Sequence, residues 1–351
     1  MLTSNKKSSM EKSLFGLDEQ IANIQKGISD FESGKSVNIA ILAHPYAGKS
    51  QLVDEIIKMY PHKVTNVIFS SIINNKAEIP LLGDLNKISI FDNCHYLYTR
   101  SIGGFDIIKE FLNTVISSDE RIHITTWNIH SWNYLDQVLD IGKYFPIQIT
   151  IPPLEPAVMK KFLLSGYKEN EILFVNDSDV SEKKIFTAIK KPITEKITHR
   201  TINLYSLRIN NAAFKALLFK RKKDETAESI IFEEITKISH GNPGVAKEIW
   251  NKCLEYPVIK TSSINSDFDD IDFDDTGRFV LYIILSMGHL KKEELKQILY
   301  QSHNIDETVI NKIIFEMFNQ DLIKKNDDNY SIKIEKLYDV IKYLEKIRLV
   351  W

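Results

Sequence analysis

The residue types best suited to chemistry form the run AHPYAGKS, from Ala43 to Ser50, directly after the apolar segment VNIAIL. Backbone N–H groups of such a turn, at the start of a helix, can surround a phosphate. In that arrangement the Lys49 amine reaches the outer phosphates and the Ser50 hydroxyl binds magnesium. The pattern G-x-x-x-x-G-K-[ST] is complete except at its first glycine, which Ala43 replaces. We favour a nucleotide site over a chance turn. The expected contact residues are Ala43, His44, Pro45, Tyr46, Ala47, Gly48, Lys49, Ser50 and Gln51.

A carboxylate ends a second apolar segment, in the run KISIFDNCHYL. By itself Asp92 would be a strand-end cap, but after a phosphate loop it is expected to hold magnesium together with Ser50. Hydrolysing enzymes of this type usually have Glu at the next position, where it polarises the attacking water. Here that catalytic position is Asn93, whose amide can orient water but cannot accept its proton. We therefore expect weak hydrolysis.

A third polar cluster ends the segment IHITT, which continues as Trp127 and Asn128. Asn128 is a candidate catalytic residue, because a polar group at this strand end could position the γ-phosphate. Alternatively, the residues TTWN simply begin the next loop. The sequence leaves both interpretations open.

Five short segments rich in β-branched residues precede residue 153, and longer amphipathic stretches separate them. They are Val37–Leu42, Val64–Phe69, Ile88–Phe91, Ile122–Thr126 and Ile147–Ile151. Nearly continuous apolar runs divided by helices predict a parallel sheet covered on both faces, and hence an α/β fold class. After Pro153 the strand pattern disappears, and helical periods dominate 156–166 and 227–253. The stretch 168–225 is polar and Lys-rich, and its pattern fits loops or short helices.

Composition restricts the class of protein. The chain has 351 residues, of which 43% are hydrophobic and 26% charged, which predicts two to three globular domains and excludes disordered or collagenous chains. The longest apolar run, 279–287, is too short to span a bilayer, so we expect no membrane contact and a cytoplasmic location. Two cysteines and nine scattered histidines give no metal-ligand spacing, and we expect no structural metal.

The net charge of -2 hides two opposed blocks. Residues 190–223 carry ten basic side chains against one acid, whereas 267–275 contain six aspartates. The basic block is a candidate DNA-binding face, although a solvated surface is the more common explanation. The acidic block predicts a linker, because like charges favour solvation over packing.

The last 75 residues have the element order of a winged helix. Helical patterns at 278–287 and 291–300 precede a third that begins at Asp306, and the run LIKKNDDNYSI then predicts a hairpin wing. The third helix, 306–320, has Lys312 as its one base, whereas DNA readers usually place several there. Wing lysines could still contact phosphates, so DNA and protein contacts both stay open. These are Lys324, Lys325 and Lys333.

Two further motifs extend the pattern. SLFGLDEQI resembles an "F-x-G-R-x-x-E" opening, and ISHGNPGVAKEIW resembles a G-x-P lid motif. With the phosphate loop, they make the chain similar to AAA+ or STAND-type P-loop ATPases, close to archaeal origin-recognition initiators. The resemblance implies a five-stranded sheet with the phosphate-loop strand in its middle, a helical lid and often a C-terminal winged helix. It also implies that Phe15 and Gly16 lie near the adenine, that Pro243 approaches the base or ribose, and that ATP or ADP binds with Mg²⁺.

The chain departs from that family at three positions. Leu17 replaces the arginine of the opening motif, Gly244 lies near the expected lid arginine, and Lys143 stands where an arginine finger is expected. A lysine lacks the planar fork suited to a γ-phosphate. These differences weaken hydrolysis but leave nucleotide binding intact.

The sequence therefore predicts a P-loop core at 1–153, a helical lid with a basic insertion at 154–257, an acidic linker at 258–276 and a winged helix at 277–351. The leading hypothesis is a nucleotide-dependent switch with slow ATP hydrolysis that associates with DNA. The alternative is a signalling or defence adaptor that uses the winged helix for protein contacts, or that assembles as a homo-oligomer. A small-molecule kinase is disfavoured, because no acceptor site is evident.

Overall fold

A computed structural model describes residues 14–80, 86–117, 120–177, 186–194, 201–209, 226–264, 271–303 and 305–350. For 186–194, 201–209 and 301–303 it describes the backbone alone. The chain divides into two compact units. The first contains the described parts of 1–166, 235–252 and 266–351, and the second those of 167–234 and 253–265.

A five-stranded parallel sheet forms the centre of the first unit, as predicted. Its strands are β1 (Ile39–Ala43), β2 (Val64–Ile68), β3 (Ile88–Asp92), β4 (Ile122–Asn128) and β5 (Ile147–Thr150), in the order β2-β3-β4-β1-β5. The phosphate-loop strand β1 is therefore an inner strand but not the middle one, which is β4. Ala43 pairs with Asn128 across β1 and β4, and Ile68 with Asp92 across β2 and β3. The polar strand ends thus lie along one edge of the sheet.

The inner strands β1, β3 and β4 are buried along their whole length, whereas the outer strands β2 and β5 are partly exposed. The helices of the core are α1 (Asp18–Glu32), α2 (Lys49–Met59), α3 (Asp106–Ser117), α4 (Ile129–Leu139) and α5 (Pro156–Leu164). Ile24 and Ile28 of α1 and Leu52 of α2 are fully buried in the cluster that contains Ile39 and Ile41 of β1. Burial of such side chains is worth about 1.5–3 kcal/mol each, which fixes the strand that leads into the phosphate loop.

The C-terminal module, residues 271–350, belongs to the same unit. It runs α8 (Asp275–Met287), β11 (Leu290–Lys291), α9 (Lys292–His303), α10 (Glu307–Asn319), β12 (Ile323–Asn326), β13 (Asn329–Ile332) and α11 (Leu337–Lys346). Its strands form an antiparallel sheet in the order β11-β13-β12. Helix α8 begins before the expected Arg278, because the Asp274 carboxylate accepts a 2.7 Å hydrogen bond from the Gly277 N–H and caps it.

The second unit differs from expectation. Besides α6 (Ala227–Ile238), which ends in the first unit, it contains the short strands β6 (Leu173–Val175), β9 (Leu254–Glu255) and β10 (Val258–Lys260). It also contains the antiparallel pair β7 (Phe186–Thr194) and β8 (Thr201–Ile209). The prediction of loops or short helices over 168–225 is therefore wrong where the structure describes this stretch. Its Lys-rich polarity hid the neighbouring strands β7 and β8, and β6 has its partner β10 far along the chain. Pairing of β10 with β6 also means that the expected linker at 258–276 does not start at 258.

Helix α7 (Pro243–Cys253) follows α6 and carries the expected lid motif at its start. The ten basic residues of 190–223 lie outside the described side chains. Across the described ranges, no helix is long and apolar enough to cross a membrane, and no group of His, Cys, Asp and Glu side chains could hold a metal ion by itself.

Candidate nucleotide site

The phosphate loop connects β1 to α2 as predicted. Gly48 has φ +101°, a left-handed angle that strains any residue with a side chain, although a Cβ there would approach only Gln51 Oε1, at 3.5 Å. The backbone angle, and not space, therefore requires glycine. Helix α2 begins at Lys49 without a side-chain cap. Since the first N–H groups of a helix have no partner within it, they are available to an anion.

Lys49 extends from the loop to the end of β3. Its Nζ donates a 3.0 Å hydrogen bond to Asn93 Oδ1. Burial lowers the pKa of the Lys49 amine, and the nearby Asp92 carboxylate opposes that shift. The structure thus brings together the expected phosphate-binding amine, the metal candidate and the residue beside it.

Asn93, directly after β3, is held by hydrogen bonds to three other parts of the chain. Its backbone N–H donates to Thr126 Oγ1 at 3.0 Å, and its Nδ2 donates to the Phe69 carbonyl at 3.2 Å. With the bond from Lys49, both ends of the amide are engaged. Its φ of +62° is a left-handed angle that asparagine tolerates better than most residues. The expected role of the side chain in orienting water is therefore in competition with two hydrogen bonds.

The oxygen donors suit magnesium. Asp92 is buried, and one of its oxygens accepts a hydrogen bond from the Thr126 hydroxyl. Ser50 is exposed at the start of α2. Mg²⁺ prefers one or two protein oxygens together with phosphate oxygens and water. A carboxylate and a hydroxyl beside a phosphate loop fit that requirement.

Asn128 lies at the end of β4 and connects two helices. Its Oδ1 accepts a 3.0 Å bond from the His130 N–H, capping α4, and its Nδ2 donates a 2.7 Å bond to the Leu285 carbonyl of α8. Ser131 likewise donates to the Ser286 carbonyl at 2.7 Å. The last carbonyls of a helix have no partner within it, and here core side chains supply two. Asn128 therefore joins the sheet edge to the C-terminal module.

A cavity of about 670 Å³ opens beside the loop, and we call it the phosphate cavity. The core contributes Ala43, His44, Pro45, Tyr46, Gly48, Lys49, Ser50, Gln51, Asn93, His95, Tyr96 and Asn128. Gly244 of the lid also lines it. The C-terminal module contributes Met287, Gly288, His289, Lys324, Asn326, Asn329 and Ser331. The sequence did not indicate that the C-terminal module forms a wall of this site.

A second cavity of about 590 Å³, the lid cavity, shares His44 with the first. Ala47 and Pro243 line it together. The contact of Pro243 with a base or ribose stays a prediction. Phe15 and Gly16 line neither cavity in the described chain. Phe15 packs edge-on against Phe162 with ring centroids 5.6 Å apart. A Cβ on Gly16 would lie 2.9 Å from Leu154 Cδ2, so that region packs against α5.

The lid motif is attached directly to the phosphate loop. Asn242 Nδ2 donates a 2.8 Å bond to the Pro45 carbonyl, and the Gly244 N–H donates a 3.2 Å bond to the Tyr46 carbonyl. A Cβ on Gly244 would lie 2.6 Å from Tyr46 Cβ, so only glycine permits this approach. Pro243 was a candidate from the sequence, but Asn242 was not. The signal for Asn242 is its place before a proline at a helix start, where it caps the helix by accepting from the Val245 N–H.

The hairpin of the C-terminal module touches the same loop. Tyr46 donates from its hydroxyl to the Ile332 carbonyl at 3.3 Å. Nearby, the Tyr96 hydroxyl lies 2.9 Å from His289 Nδ1, and His289 Nε2 lies 3.2 Å from the Ser70 carbonyl. The Arg100 guanidinium lies over the rings of Tyr134 and Tyr282, at 4.1 and 4.6 Å from their centroids. These contacts fix the module against the sheet edge.

Comparisons with known proteins give structural likeness only. No family model and no curated sequence matches the chain. The RuvB Holliday junction branch migration motor of Thermotoga maritima is 12% identical, with 94% of this chain and 97% of that one covered and a TM-score of 0.39. The ORC2 protein of Aeropyrum pernix, solved as ADPNP and ADP complexes, is 9% identical, with 98% and 97% covered and a TM-score of 0.41. Cdc6p of Pyrobaculum aerophilum is 12% identical, with 98% and 97% covered and a TM-score of 0.43.

The fold of the core is identified by its strand order, β2-β3-β4-β1-β5, and by the loop that connects β1 to α2. The chain has the P-loop NTPase fold.

Three histidines lie near the loop of this P-loop NTPase core, and of these His130 is buried, His44 half-buried and His240 exposed. His44 and His130 meet edge-on with centroids 5.2 Å apart, and His240 stacks on Tyr338 of α11 at 4.3 Å. Burial lowers the pKa of His130 to about 3, and the neighbouring His44 adds to the shift. Burial also lowers the pKa of His44. Both rings are therefore neutral at pH 7, so they add shape but no charge beneath the loop.

Proposed function

We propose that the chain is an ATP-binding switch in which the state of the nucleotide controls the position of the lid and the C-terminal module. ATP or ADP would bind with Mg²⁺, the phosphates on the loop that ends at Lys49, and the metal between Ser50 and Asp92. The base and ribose would occupy the lid cavity beside Ala47 and Pro243. The phosphate cavity offers the Lys49 amine and the Ser50 hydroxyl, whereas the lid cavity offers Ala47 and Pro243, and this difference supports the division.

The observation that carries the proposal is the convergence of three parts of the chain on Tyr46 and its neighbours. The lid donates to the Pro45 and Tyr46 carbonyls, and the hairpin accepts from the Tyr46 hydroxyl. Tyr46 itself has a left-handed φ of +65°. A phosphate that reshapes this loop therefore changes both contacts. That is a population shift between arrangements, which requires different nucleotide affinity in each.

We infer slow hydrolysis from the groups at the end of β3. Asn93 offers no proton acceptor, and its amide is held by Lys49 and the Phe69 carbonyl. A general base must reach the water that it activates. The described residues that line the phosphate cavity include no carboxylate and no arginine, and the buried Asp92 is not among them. Slow turnover suits a switch, since each state then persists.

Replacing Lys49 tests the proposal. Lys49→Ala should reduce the affinity for ATP at least a hundredfold, because a charge-assisted contact to phosphate is lost in a half-buried site. Lys58→Ala is the matched control, since Lys58 lies on the same helix but pairs with Glu55 at 3.1 Å on the surface. Titration of a fluorescent ATP analogue measures both. Equal affinity in the parent and in Lys49→Ala would refute the nucleotide site.

Hydrogen exchange tests the switch itself. Saturating ATP, compared with ADP, should change amide protection in α7 and in β12 and β13, while protection in α1 stays constant. Identical exchange in both nucleotides would leave a nucleotide-binding protein without a switch.

For the partner, one observation favours the adaptor alternative over DNA. Helix α10, expected to read DNA, exposes apolar side chains, with Phe315 64% and Val309 43% exposed. Its base Lys312 lies 3.7 Å from Glu316 of the same helix. On the wing, Lys325 lies 3.6 Å from Asp328, and Lys333 pairs with Asp321. An exposed apolar face with paired lysines suits a protein surface better than a phosphate backbone.

DNA association remains the proposal for the basic block 190–223. Replacing Lys220, Arg221, Lys222 and Lys223 with Ser should weaken binding to every DNA sequence and reduce its salt dependence, because phosphate contacts release counterions. Titrating duplex and single-stranded DNA at two salt concentrations gives the answer. Absence of binding at low salt would favour the adaptor.

A further inference from the structure

One face of the C-terminal hairpin is directed at the phosphate cavity. In the antiparallel pair of β12 and β13, Lys324 is opposite Ser331 and Asn326 is opposite Asn329. All four line the phosphate cavity. Side chains alternate between the faces of a strand, so these pairs share one face while Lys325 and Tyr330 share the other. The register of the hairpin therefore selects which lysine meets the nucleotide site.

Lys324 differs from the other hairpin lysines in having no partner. It is half-buried and makes no hydrogen bond or ion pair with any described residue. By contrast, Lys325 lies 3.6 Å from Asp328 with its Nζ 5.9 Å from the Tyr330 centroid, and Lys333 pairs with Asp321. Holding an ammonium in a partly enclosed cavity without an anion costs free energy. An anionic ligand would remove that cost.

The other charged or titratable groups that line the phosphate cavity are not available to pair with an added anion. Both ring nitrogens of His289 are engaged, by the Tyr96 hydroxyl and the Ser70 carbonyl. Burial lowers the pKa of His95 far below its usual value, so that ring is neutral. Lys49, at the end of the phosphate loop, is already assigned to the phosphates in the proposed site. The lining thus contains two ammonium groups, Lys49 from the core and Lys324 from the hairpin.

We propose that Lys324 is a nucleotide-binding residue that contacts the terminal phosphate of ATP from within the same chain. The inference rests on the proposed nucleotide site and adds to it a specificity-determining residue. ATP carries one more phosphate than ADP, and a second ammonium opposite Lys49 stabilises that added charge. Lys324 thereby replaces, from the hairpin, a cation that the lid and the core do not provide. It also makes the position of the hairpin depend on the nucleotide.

Paired affinities for ATP and ADP test this role. Lys324→Ala should weaken ATP about tenfold to a hundredfold, as expected for loss of a hydrogen bond to a charged group, and ADP by about twofold or less. Lys324→Arg should restore most of the ATP affinity. Lys325→Ala, on the opposite face of the same strand, should change neither affinity. Unfolding temperatures of the variants, measured alongside, should match the parent, because the Lys324 side chain supports no described contact.

The outcomes separate this inference from the proposed function. If Lys49→Ala abolishes binding but Lys324→Ala leaves the ratio of ATP to ADP affinity unchanged, Lys324 does not contact the nucleotide. The proposed switch then has no residue that distinguishes ATP from ADP. Equal losses of ATP and ADP, or the same loss in Lys325→Ala, would also overturn the inference, since either indicates a general change in the hairpin. If the parent binds neither nucleotide, both proposals fall.

Discussion

The two walls of the phosphate cavity differ in how their polar groups are held. On the core wall, Lys49 is bonded to Asn93, and Thr126 is bonded to both Asp92 and Asn93. On the hairpin wall, Lys324 has no partner among the described residues. Each core group is positioned by a strand end or helix start of the central sheet, whereas the hairpin groups depend on where the C-terminal module sits.

That difference assigns the two walls separate tasks. A bonded network is preorganised, so it binds phosphate with little rearrangement but responds weakly to which phosphate is present. An unpaired ammonium gains its partner only when the ligand arrives, and its contribution therefore depends on the ligand. In the proposed switch, the core wall would therefore account for binding, and the hairpin wall for discrimination.

Acidification should destabilise the core that carries the core wall. Burial lowers the pKa of His130 to about 3 and that of His123 to about 4, each from 6.5. At a pH between those pKa values and 6.5, both histidines are protonated in the unfolded chain but neutral in the folded chain. Stability is therefore full above pH 6.5 and falls as the pH decreases, by about 2 kcal/mol per histidine at pH 5. Urea unfolding at pH 7.5 and 5 measures the change.

His130→Phe supplies the control for that pH dependence. It should flatten the curve between pH 5 and 6.5, because the ring remains but the titrating nitrogens are removed. An unchanged curve in His130→Phe would show that another group causes the acid sensitivity.

Asn93→Glu should destabilise the core wall and should not accelerate hydrolysis. Glutamate cannot donate to the Phe69 carbonyl as Asn93 Nδ2 does, and the left-handed φ of +62° disfavours it. Together these effects cost about 2–3 kcal/mol of the free energy of unfolding. Chemical denaturation and single-turnover hydrolysis measure the two parts. A faster turnover at unchanged stability would mean that Asn93 is free to be replaced by a base.

Gly244→Ala should weaken the loop that both walls share, at a smaller cost. The new methyl would meet Tyr46 Cβ at 2.6 Å and the Tyr46 carbonyl oxygen at 2.7 Å, separating the lid from the loop. Overpacking of this kind costs about 1–3 kcal/mol, and the ATP affinity should fall about tenfold. Gly166→Ala is the matched control, because a Cβ there meets nothing within 4 Å. Equal ATP affinity in both variants would show that lid contact does not support the loop.

Local sequence was sufficient for the sheet and for the core wall. Five apolar segments became the five strands, and Gly48, Lys49, Asp92 and Asn93 were brought together as expected. Both results follow from short-range causes. Burial on two faces makes strands continuously apolar, and a strand, a glycine turn and a helix start place a lysine wherever they occur.

Other features required contacts between distant parts of the chain. Strand β6 has its partner β10 across a long intervening segment, whereas β7 and β8 pair locally but lay in a Lys-rich stretch without a clear pattern. Phe15 and Gly16 pack against α5, which no spacing within their own motif indicates. Asn128 likewise fitted a phosphate sensor or a loop start equally well, and the structure uses it to cap α4 and to hold the end of α8.

The sequence by itself determined that a phosphate loop follows a buried strand and that the position after Asp92 lacks a base, because those properties depend on residue type and on neighbours a few positions away. Only the tertiary structure decided that Lys324 faces the loop while Lys325 does not. That choice depends on the register of β12 against β13 and on the attachment of α8 to Asn128 and Ser131. Since a shift of one residue in register would exchange the two lysines, a lysine pair in the sequence cannot specify which of them meets the nucleotide.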